Sequence, residues 1–353
     1  MAANPVARQV FVGVDSGGTR TNVTIEVSNG AGPSVGDCYE VEENLSGALK
    51  PELVPDTLRT ILAPLEIVAD EHGLDGLDVY VWISAAGFTP WTRTHYLGAM
   101  SDIAPGFLDG CIRSVGAAND GVSLLLGSRA SGVVIAGTGS TVIVRSSDGK
   151  VHQAGGHEWV ACDDGAGFWI GIRAIRQAYR DYESGTGSVL LQRFRQEYNV
   201  RARDDRAFIE TLRELAIGHK DMKKEIARFA ARVCQAAERG DKSAQNIVKG
   251  EAESLADVTA EALRRHFASA ELSRGLSIVQ CGSLLANEFY RKSFESQLEM
   301  RLRTDDRHAA QLTFERVATG AAAATQLAQD LAGSTDEMLE LDSAFRPAIV
   351  VAD

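Results

Sequence analysis

A glycine-rich turn between two strand-like segments occurs twice in this sequence. The first copy is VFVGVDSGGTRTNVTIEVSNG at 10–30, and the second is SGVVIAGTGSTVIVRSSDGK at 131–150. Val and Ile are common in any strand and Asn-Gly or Asp-Gly in any hairpin turn, so those matches alone could arise by chance. The loop matches, at an offset of 119 residues, are Gly18 with Gly137, Thr19 with Thr138, and Thr21 with Ser140. We therefore expect one structural device built twice.

The rest of the pattern predicts an α/β protein of two domains. At 353 residues, the chain is longer than one comfortable core. After the first hairpin, helical spacing at 51–72 is followed by a buried-strand pattern at 77–87. A mostly helical stretch at 166–268 precedes a further strand at 276–283 and a small-residue helix at 316–333. Strands and helices that alternate in this way predict sheets covered by helices.

Composition excludes several classes of function. The net charge of −12 argues against a nucleic-acid partner, because phosphate binding needs clustered Lys and Arg. The five cysteines have no metal-ligand spacing, which is typical of reduced thiols in a cytoplasmic protein. No apolar run has the length of a signal peptide or a membrane span. The sequence predicts a soluble protein of the cytoplasm that binds neither nucleic acid nor membrane.

Both hairpin loops could cradle a phosphate. Glycines let backbone amides approach an anion closely, and hydroxyls add donors. The first loop also follows Asp15, which could hold Mg²⁺ together with phosphate oxygens. A tight turn with a solvated aspartate explains the first loop equally well. The candidate phosphate-binding residues are Gly17, Gly18, Thr19, Gly137, Thr138, Gly139 and Ser140.

Three further stretches carry polar groups at the ends of predicted elements. Asp120, between a strand and a helix, is placed to accept a proton from a substrate hydroxyl, although an N-cap suits the local sequence as well. Asp163 and Asp164 precede a helix, where the simpler interpretation is again capping. Gly282 and Ser283 follow a strand and could let a flat base lie on the backbone, or could simply end that strand.

Together these motifs resemble the sugar-kinase, actin and Hsp70 ATPase superfamily. Within it, the chain is most similar to the BadF/BadG/BcrA/BcrD group, which contains the N-acetylglucosamine kinases. The resemblance runs from about 10 to 330, and it depends on five motifs in family order. They read GVDSGGTRT, AAND, VVIAGTGS, DDGAGFWIG and VQCGS.

The resemblance implies two ribonuclease-H-like, actin-like ATPase domains around an ATP cleft, the second with a helical insertion. The domains would span 1–116 and 117–333, with a tail at 334–353, and the helix at 317–331 would pack back on the first domain. The implied activity is ATP- and Mg²⁺-dependent phosphorylation of a sugar hydroxyl, the 6-hydroxyl by family analogy. A homodimer is expected on the same ground.

The resemblance also assigns roles to single residues. Asp120 would be the catalytic base, in place of the cap, and Asp15 would serve the magnesium. Gly282 and Ser283 would lie by the adenosine, and the two hairpin loops would face the phosphates. The sugar-contacting residues would be Asn44, Asn119, Asp120, Thr138, Gly155, Gly156, Glu158 and Asp163.

The sugar side departs from the family pattern. N-acetylglucosamine kinases commonly read GGWGH and GDEGS, whereas this chain has GGHEW at 155–159 and CDDGA at 162–166. Several acids collect there, so one hypothesis is an acceptor with a free amine, such as glucosamine or an amino-sugar natural product. The alternative is that most of them are solvated or cap helices. The acids are Glu42, Glu43, Glu158, Asp163 and Asp164.

Two competing functions belong to other classes. The same group includes ATPases that activate CoA-ester dehydratases through a cluster shared by two subunits, but Cys162 and Cys281 do not form an obvious ligand pair. A non-catalytic sugar sensor is disfavoured, because both phosphate loops and Asp120 are present.

Overall fold

The structure is a computed structural model of the chain. It describes residues 8–17, 20–28, 35–45, 49–72, 77–106, 110–201, 204–218, 221–303, 310–333, 341 and 344–351. Of the sequence predictions, Gly18 and Thr19 lie outside the described residues, as does the Asn-Gly turn at 29–30 that ends the first copy of the repeat.

The chain divides into two compact units. The first comprises Met1–Ser131, Arg145–Val151 and Thr319–Asp353, and the second comprises Gly132–Val144 and His152–Ala318. The boundary expected between residues 116 and 117 falls inside a strand, and the chain enters the second unit only at Gly132.

The first unit contains a six-stranded sheet with helices. Its strands are β1 (Arg8–Ser16), β2 (Thr21–Ser28), β3 (Val35–Val41), β4 (Leu77–Ala85), β5 (Ile112–Asn119) and β11 (Ala348–Val351). Its helices are α1 (Val54–Leu62), α2 (Pro64–His72), α3 (Arg93–Gly106), α4 (Asp120–Ser128) and α13 (Ala321–Leu331). The strand order is β11-β5-β4-β1-β2-β3, in which β1, β4 and β5 run parallel.

The second unit contains a five-stranded sheet and a helical lobe. Its strands are β6 (Gly132–Ala136), β7 (Ser140–Arg145), β8 (Val151–Gly155), β9 (Leu276–Cys281) and β10 (Leu312–Arg316), in the order β10-β9-β6-β7-β8. The longer helices are α5 (Gly167–Glu183), α6 (Val189–Glu197), α7 (Asp205–Arg213), α8 (Met222–Glu238), α9 (Lys242–His266) and α12 (Glu288–Leu302). Two short helices are α10 (Ser269–Arg274) and α11 (Ser283–Ala286).

The two sheets repeat one topology. In each, an antiparallel hairpin is flanked by a third strand on one side and by two parallel strands on the other. The hairpin loops differ by one residue, because Ser16 pairs with Thr21 whereas Ala136 pairs with Ser140. The offset of 119 residues therefore aligns the second strands of the hairpins, and the first strands need an offset of 120.

Three details of the first unit differ from the pattern or extend it. The helix expected over 51–72 is interrupted before Pro64, whose ring cannot continue the hydrogen bonds of α1. Helix α13 lies directly on β1, since a Cβ on Gly13 would be 2.8 Å from the carbonyl oxygen of Ala321. In the tail, β11 pairs antiparallel with β5 and extends the sheet.

Candidate functional site

The predicted residues of the first unit meet at the carboxyl ends of its parallel strands. Asp15 lies near the end of β1 and is in register with Ser84 of β4. Asn119 ends β5 and is in register with Ala85 of β4. Ligands of α/β sheets commonly bind at this edge, where loops rather than strands supply the side chains.

Asp15 is a carboxylate in an unfavourable place for a charge. Its Oδ2 accepts a hydrogen bond from the amide of Gly320, 2.7 Å away, at the start of α13. Burial raises the pKa of Asp15 to about 6, the Gly320 amide opposes that rise, and the charge of Asp120 adds to it. A cation at this position would relieve both the burial cost and the repulsion.

Asp120 is the first residue of α4 and is not its N-cap. Asn119 caps the helix, with its Oδ1 accepting from the Gly121 amide at 3.0 Å. The Asp120 Oδ1 accepts from the same amide at 2.8 Å, and burial raises the pKa of Asp120. The capping role that the local sequence suggested for Asp120 therefore belongs to Asn119.

Asn44 is held beside the base of the first hairpin by its neighbours. The Leu45 amide donates to Ser16 Oγ at 2.6 Å, and the Thr21 hydroxyl donates to the Glu43 carbonyl at 2.6 Å. The hairpin turn itself is closed by the Gly17 amide, which donates to the Arg20 carbonyl at 3.1 Å. The main chain at Asn44 is thus fixed next to the ends of β1 and β2.

In the second unit, the loop Gly137–Ser140 has two backbone neighbours. The Gly167 amide at the start of α5 donates to the Gly137 carbonyl at 2.8 Å. Gly282 has φ +105, and a Cβ there would lie 2.8 Å from the carbonyl carbon of Ala136. A Cβ on Gly137 would be 3.9 Å from Ser283 Oγ, so the structure brings these predicted nucleotide residues together.

The predicted sugar residues of the second unit also lie near this loop. Gly155 ends β8 with φ +72, and a Cβ there would be 3.5 Å from the Ser140 carbonyl oxygen. Gly156 also has φ +72, and a Cβ there would be 2.7 Å from the Thr141 hydroxyl. Asp163 packs on the loop itself, because a Cβ on Gly139 would be 2.9 Å from its Oδ2.

Lys223 of α8 holds two of the predicted sugar-contacting acids. Its Nζ lies 2.8 Å from Asp163 Oδ2 and 2.9 Å from Glu158 Oε2. Burial lowers the pKa of Lys223, but the hydrogen bonds to Asp163 and Glu158 outweigh it and leave that pKa raised. Glu158 and Asp163 have φ of +77 and +65, backbone values that residues other than glycine rarely adopt.

These contacts bear on the hypothesis that the acids of the predicted sugar side bind a free amine. Asp163 is buried and already paired, and Glu158 shares the same lysine. Glu42, Glu43 and Asp164 are exposed to solvent. Three of the five acids are thus solvated, as the alternative expects, and the other two already face the charge of Lys223.

The first unit fits a magnesium ion only with help from a ligand. Within the described residues, no group of three or more His, Cys, Asp and Glu side chains could hold a metal ion. Mg²⁺ is commonly bound through one or two carboxylates together with substrate phosphates. The half-buried Asp15, repelled by Asp120, suits that form of binding.

Sequence reasoning missed two residues near these sites. Lys223 stands in an ordinary amphipathic helix, and no spacing links it to Asp163. Ser84 is fully buried and level with Asp15, and its hydroxyl has no hydrogen-bond partner among the described residues. A lone polar residue inside the apolar run of β4 is the signal that could have drawn attention to Ser84.

Comparison with known proteins gives a family-level match. A model of the BadF/BadG/BcrA/BcrD ATPase family matches residues 12–322. An N-acetylmuramic acid/N-acetylglucosamine kinase of Clostridium acetobutylicum is 29% identical over 124 residues. That match spans 35% of this chain and 39% of the relative.

Solved structures show the same fold. A putative N-acetylglucosamine kinase from Chromobacterium violaceum superposes with a TM-score of 0.64 at 20% identity, over 92% of this chain and 99% of that one. A ROK family glucokinase from Streptomyces griseus, in complex with glucose and AMPPNP, gives 0.55 at 15% identity, over 91% and 99%. The predicted fold class, α/β with two sheets as in the sugar-kinase fold, is confirmed. No helix in the described part of the chain is long and apolar enough to cross a bilayer.

Proposed function

Because this chain belongs to the BadF/BadG/BcrA/BcrD ATPase family, we propose that it is a kinase that transfers the γ-phosphoryl group of ATP to a sugar hydroxyl. The observation that carries the proposal is the state of Asp120. It begins α4 at the carboxyl end of β5, burial raises its pKa, and no ion pair neutralises it within the described residues.

Asp120 is the general base of this proposal. Phosphoryl transfer needs an aligned hydroxyl, dispersal of the developing charge and a group that takes up the hydroxyl proton. The Gly121 amide fixes the Asp120 carboxylate through Oδ1, so the side chain keeps one orientation. A raised pKa brings the base closer to neutral pH, where proton uptake is most effective.

The nucleotide is assigned to the glycine loops. Amides and hydroxyls of Gly17, Gly18, Thr19 and of Gly137–Ser140 would bind the phosphates, and Gly282 and Ser283 would lie along the adenosine. Asp15 would hold Mg²⁺, which would supply positive charge for the phosphate oxygens. Glycine is required at 282, since its positive φ and its close approach to β6 both exclude a side chain.

The acceptor is assigned to an amino sugar of the N-acetylglucosamine or glucosamine type, phosphorylated on the 6-hydroxyl. The relative from Clostridium acetobutylicum acts, by its name, on acetylated amino sugars. The contacts would come from Asn44 and Asn119 in the first unit. In the second unit they would come from Thr138, Gly155, Gly156, Glu158 and Asp163. A homodimer and a cytoplasmic location stay predictions, and sedimentation of the purified protein can test the first.

The test is an ADP-release screen over hexoses, hexosamines and acetylated hexosamines, with phosphorus NMR to locate the new phosphate. Release that depends on both Mg²⁺ and one sugar, and that Asp120→Asn abolishes, supports the kinase. A protein that carries an iron-sulfur chromophore after anaerobic purification and hydrolyses ATP without a sugar would instead be a dehydratase activator.

A further inference from the structure

Gly165 accepts a hydrogen bond from a buried tyrosine that belongs to none of the sequence motifs. The Tyr290 hydroxyl, on α12, donates to the Gly165 carbonyl at 2.7 Å, and Tyr290 is fully buried. Gly165 has φ +79, and a Cβ there would be 2.8 Å from Tyr290 Oη and 2.7 Å from the Glu251 carbonyl oxygen. The positive φ and the close neighbours therefore exclude any side chain at this position, and only glycine fits.

A buried carboxylate, paired with an exposed arginine, lies against the same glycine. Glu251 of α9 is 2% exposed and pairs with Arg173 of α5. Burial raises the pKa of Glu251, whereas Arg173 and the Gly165 amide act to lower it. Burying a carboxylate costs free energy even when one partner is a cation, so the buried position of Glu251 in the helical lobe calls for a local reason. The Gly165 amide supplies one.

Gly165 lies within a segment that backs the phosphate loop Gly137–Ser140. The amides of Gly167 and Phe168 donate to the Gly137 and Thr138 carbonyls, at 2.8 and 3.3 Å. From the loop side, the Ser140 hydroxyl donates to the Asp164 carbonyl at 2.7 Å. Three hydrogen bonds thus connect residues 164–168 to the loop, and Gly165 stands among them.

We propose that Tyr290 and Glu251 are positioning residues that set the geometry of the Gly137–Ser140 loop through Gly165, without touching the ligand. This inference rests on the proposed function only in naming the loop's ligand as the phosphates of ATP. We call these contacts of Tyr290 and Glu251 with Gly165 the clamp. Without the clamp, the amides of the loop no longer keep one orientation, so ATP binding weakens while the contacts of the first unit stay intact.

Tyr290→Phe is the direct test, because it removes one hydroxyl and leaves the ring in its cavity. We expect amide hydrogen exchange of peptides covering 137–141 and 165–169 to quicken about fivefold in the ligand-free protein, the factor for one neutral hydrogen bond. The KM for ATP should rise by a similar factor, and the KM for the sugar should not change.

Tyr198→Phe is the matched control. The Tyr198 hydroxyl also donates to a main-chain carbonyl of the same lobe, that of Glu225 at 3.1 Å, but Glu225 lies outside the loop and its backing segment. The melting temperature should fall by a similar amount in both variants, and only Tyr290→Phe should quicken amide exchange in the loop. Equal exchange in the two variants would overturn the proposal.

Glu251→Gln keeps the test decisive if Tyr290→Phe does not fold. Glutamine preserves the volume of the side chain. We expect faster amide hydrogen exchange at 137–141 and a raised KM for ATP. If both the exchange rate and the KM stayed at their wild-type values, Glu251 would not position the loop. The exchange measurements need no ligand, so they judge the clamp independently. A wild-type protein that neither binds ATP nor phosphorylates a sugar would defeat the proposed function alone.

Discussion

The amide of Gly320 donates a hydrogen bond to Asp15, with 2.7 Å between the nitrogen and Oδ2. A Cβ on Gly320 would lie 2.9 Å from Asp15 Oδ1, so the carboxylate lies directly against the main chain at the start of α13. The start of a helix is also a favourable place for a negative charge. The contact holds Asp15 in one orientation, which is what a metal ligand requires.

Gly320→Ala is therefore expected to weaken Mg²⁺ binding. Gly320 has φ −78, which alanine adopts without strain, so the added methyl acts on Asp15 rather than on the backbone. We expect the Mg²⁺ concentration for half-maximal activity to rise about tenfold, as for loss of a charge-assisted hydrogen bond. Titration of activity with Mg²⁺ at saturating ATP measures it.

The control is Gly98→Ala in α3, where a Cβ would have nothing within 4 Å. That variant should keep wild-type Mg²⁺ dependence and gain roughly 0.5–1 kcal/mol of stability, since alanine is the better helix former. If Gly320→Ala binds Mg²⁺ like Gly98→Ala, Asp15 does not hold the metal.

Asp120→Asn should lower kcat by about 10²- to 10⁴-fold, the usual effect of losing a general base. The amide keeps the size of the carboxylate but cannot take up the proton. The KM for ATP should stay within about twofold, because no nucleotide contact is assigned to Asp120. Asp102→Asn, at an exposed position of α3, is the control for the substitution itself. Undiminished turnover in Asp120→Asn would remove Asp120 from the mechanism.

The same variant has a pH-dependent effect on stability. Burial raises the pKa of Asp120 above its ordinary value of 3.8, so the folded state binds this proton more tightly than the unfolded state does. Wild-type protein therefore loses stability as the pH rises from 3.8 through the folded-state pKa. Asparagine has no such loss, so the melting temperature of Asp120→Asn should exceed that of wild type at pH 8. Near pH 4 the two should converge. A gap that does not change with pH would contradict the assignment.

The repeated hairpin made most of the fold predictable from sequence. The loop glycines and the alternating strands have local causes, and the two sheets follow once each hairpin is extended by parallel strands. The one-residue difference between the loops was not predictable, because an ungapped comparison cannot tell which side of the loop carries the extra residue. Likewise, the domain boundary depends on contacts between distant segments, such as α13 on β1, which no local pattern records.

The site was predictable only where its residues lie in motifs. Asp15 lies near the end of a strand and Asp120 directly follows one, and their sequence neighbours indicate a turn and a helix start. Lys223 and Tyr290 act from helices more than 50 residues away from the segment that they hold. Amphipathic spacing predicts that such positions face a core, but it does not say which polar group they meet there.

Lys223→Met tests whether this lysine neutralises the acids predicted to contact the sugar. Methionine keeps a long unbranched side chain and removes the charge. Asp163 would then be buried without its cation, so we expect a stability loss of roughly 1–3 kcal/mol, less than for a fully buried pair because the lysine is 23% exposed. Lys224→Met, one residue along and exposed, should leave stability unchanged.

The specificity of the same variants decides the charge state of the sugar side. With Lys223 present, we expect kcat/KM for glucosamine to be no higher than for N-acetylglucosamine, since Asp163 and Glu158 are already paired. In Lys223→Met the two acids lose their cation, so the ratio should shift toward the free amine severalfold. Lys224→Met should keep the wild-type ratio. A wild-type enzyme that strongly prefers glucosamine would show that the ammonium of the substrate competes successfully with Lys223. The interpretation that Lys223 neutralises Asp163 and Glu158 would then be wrong.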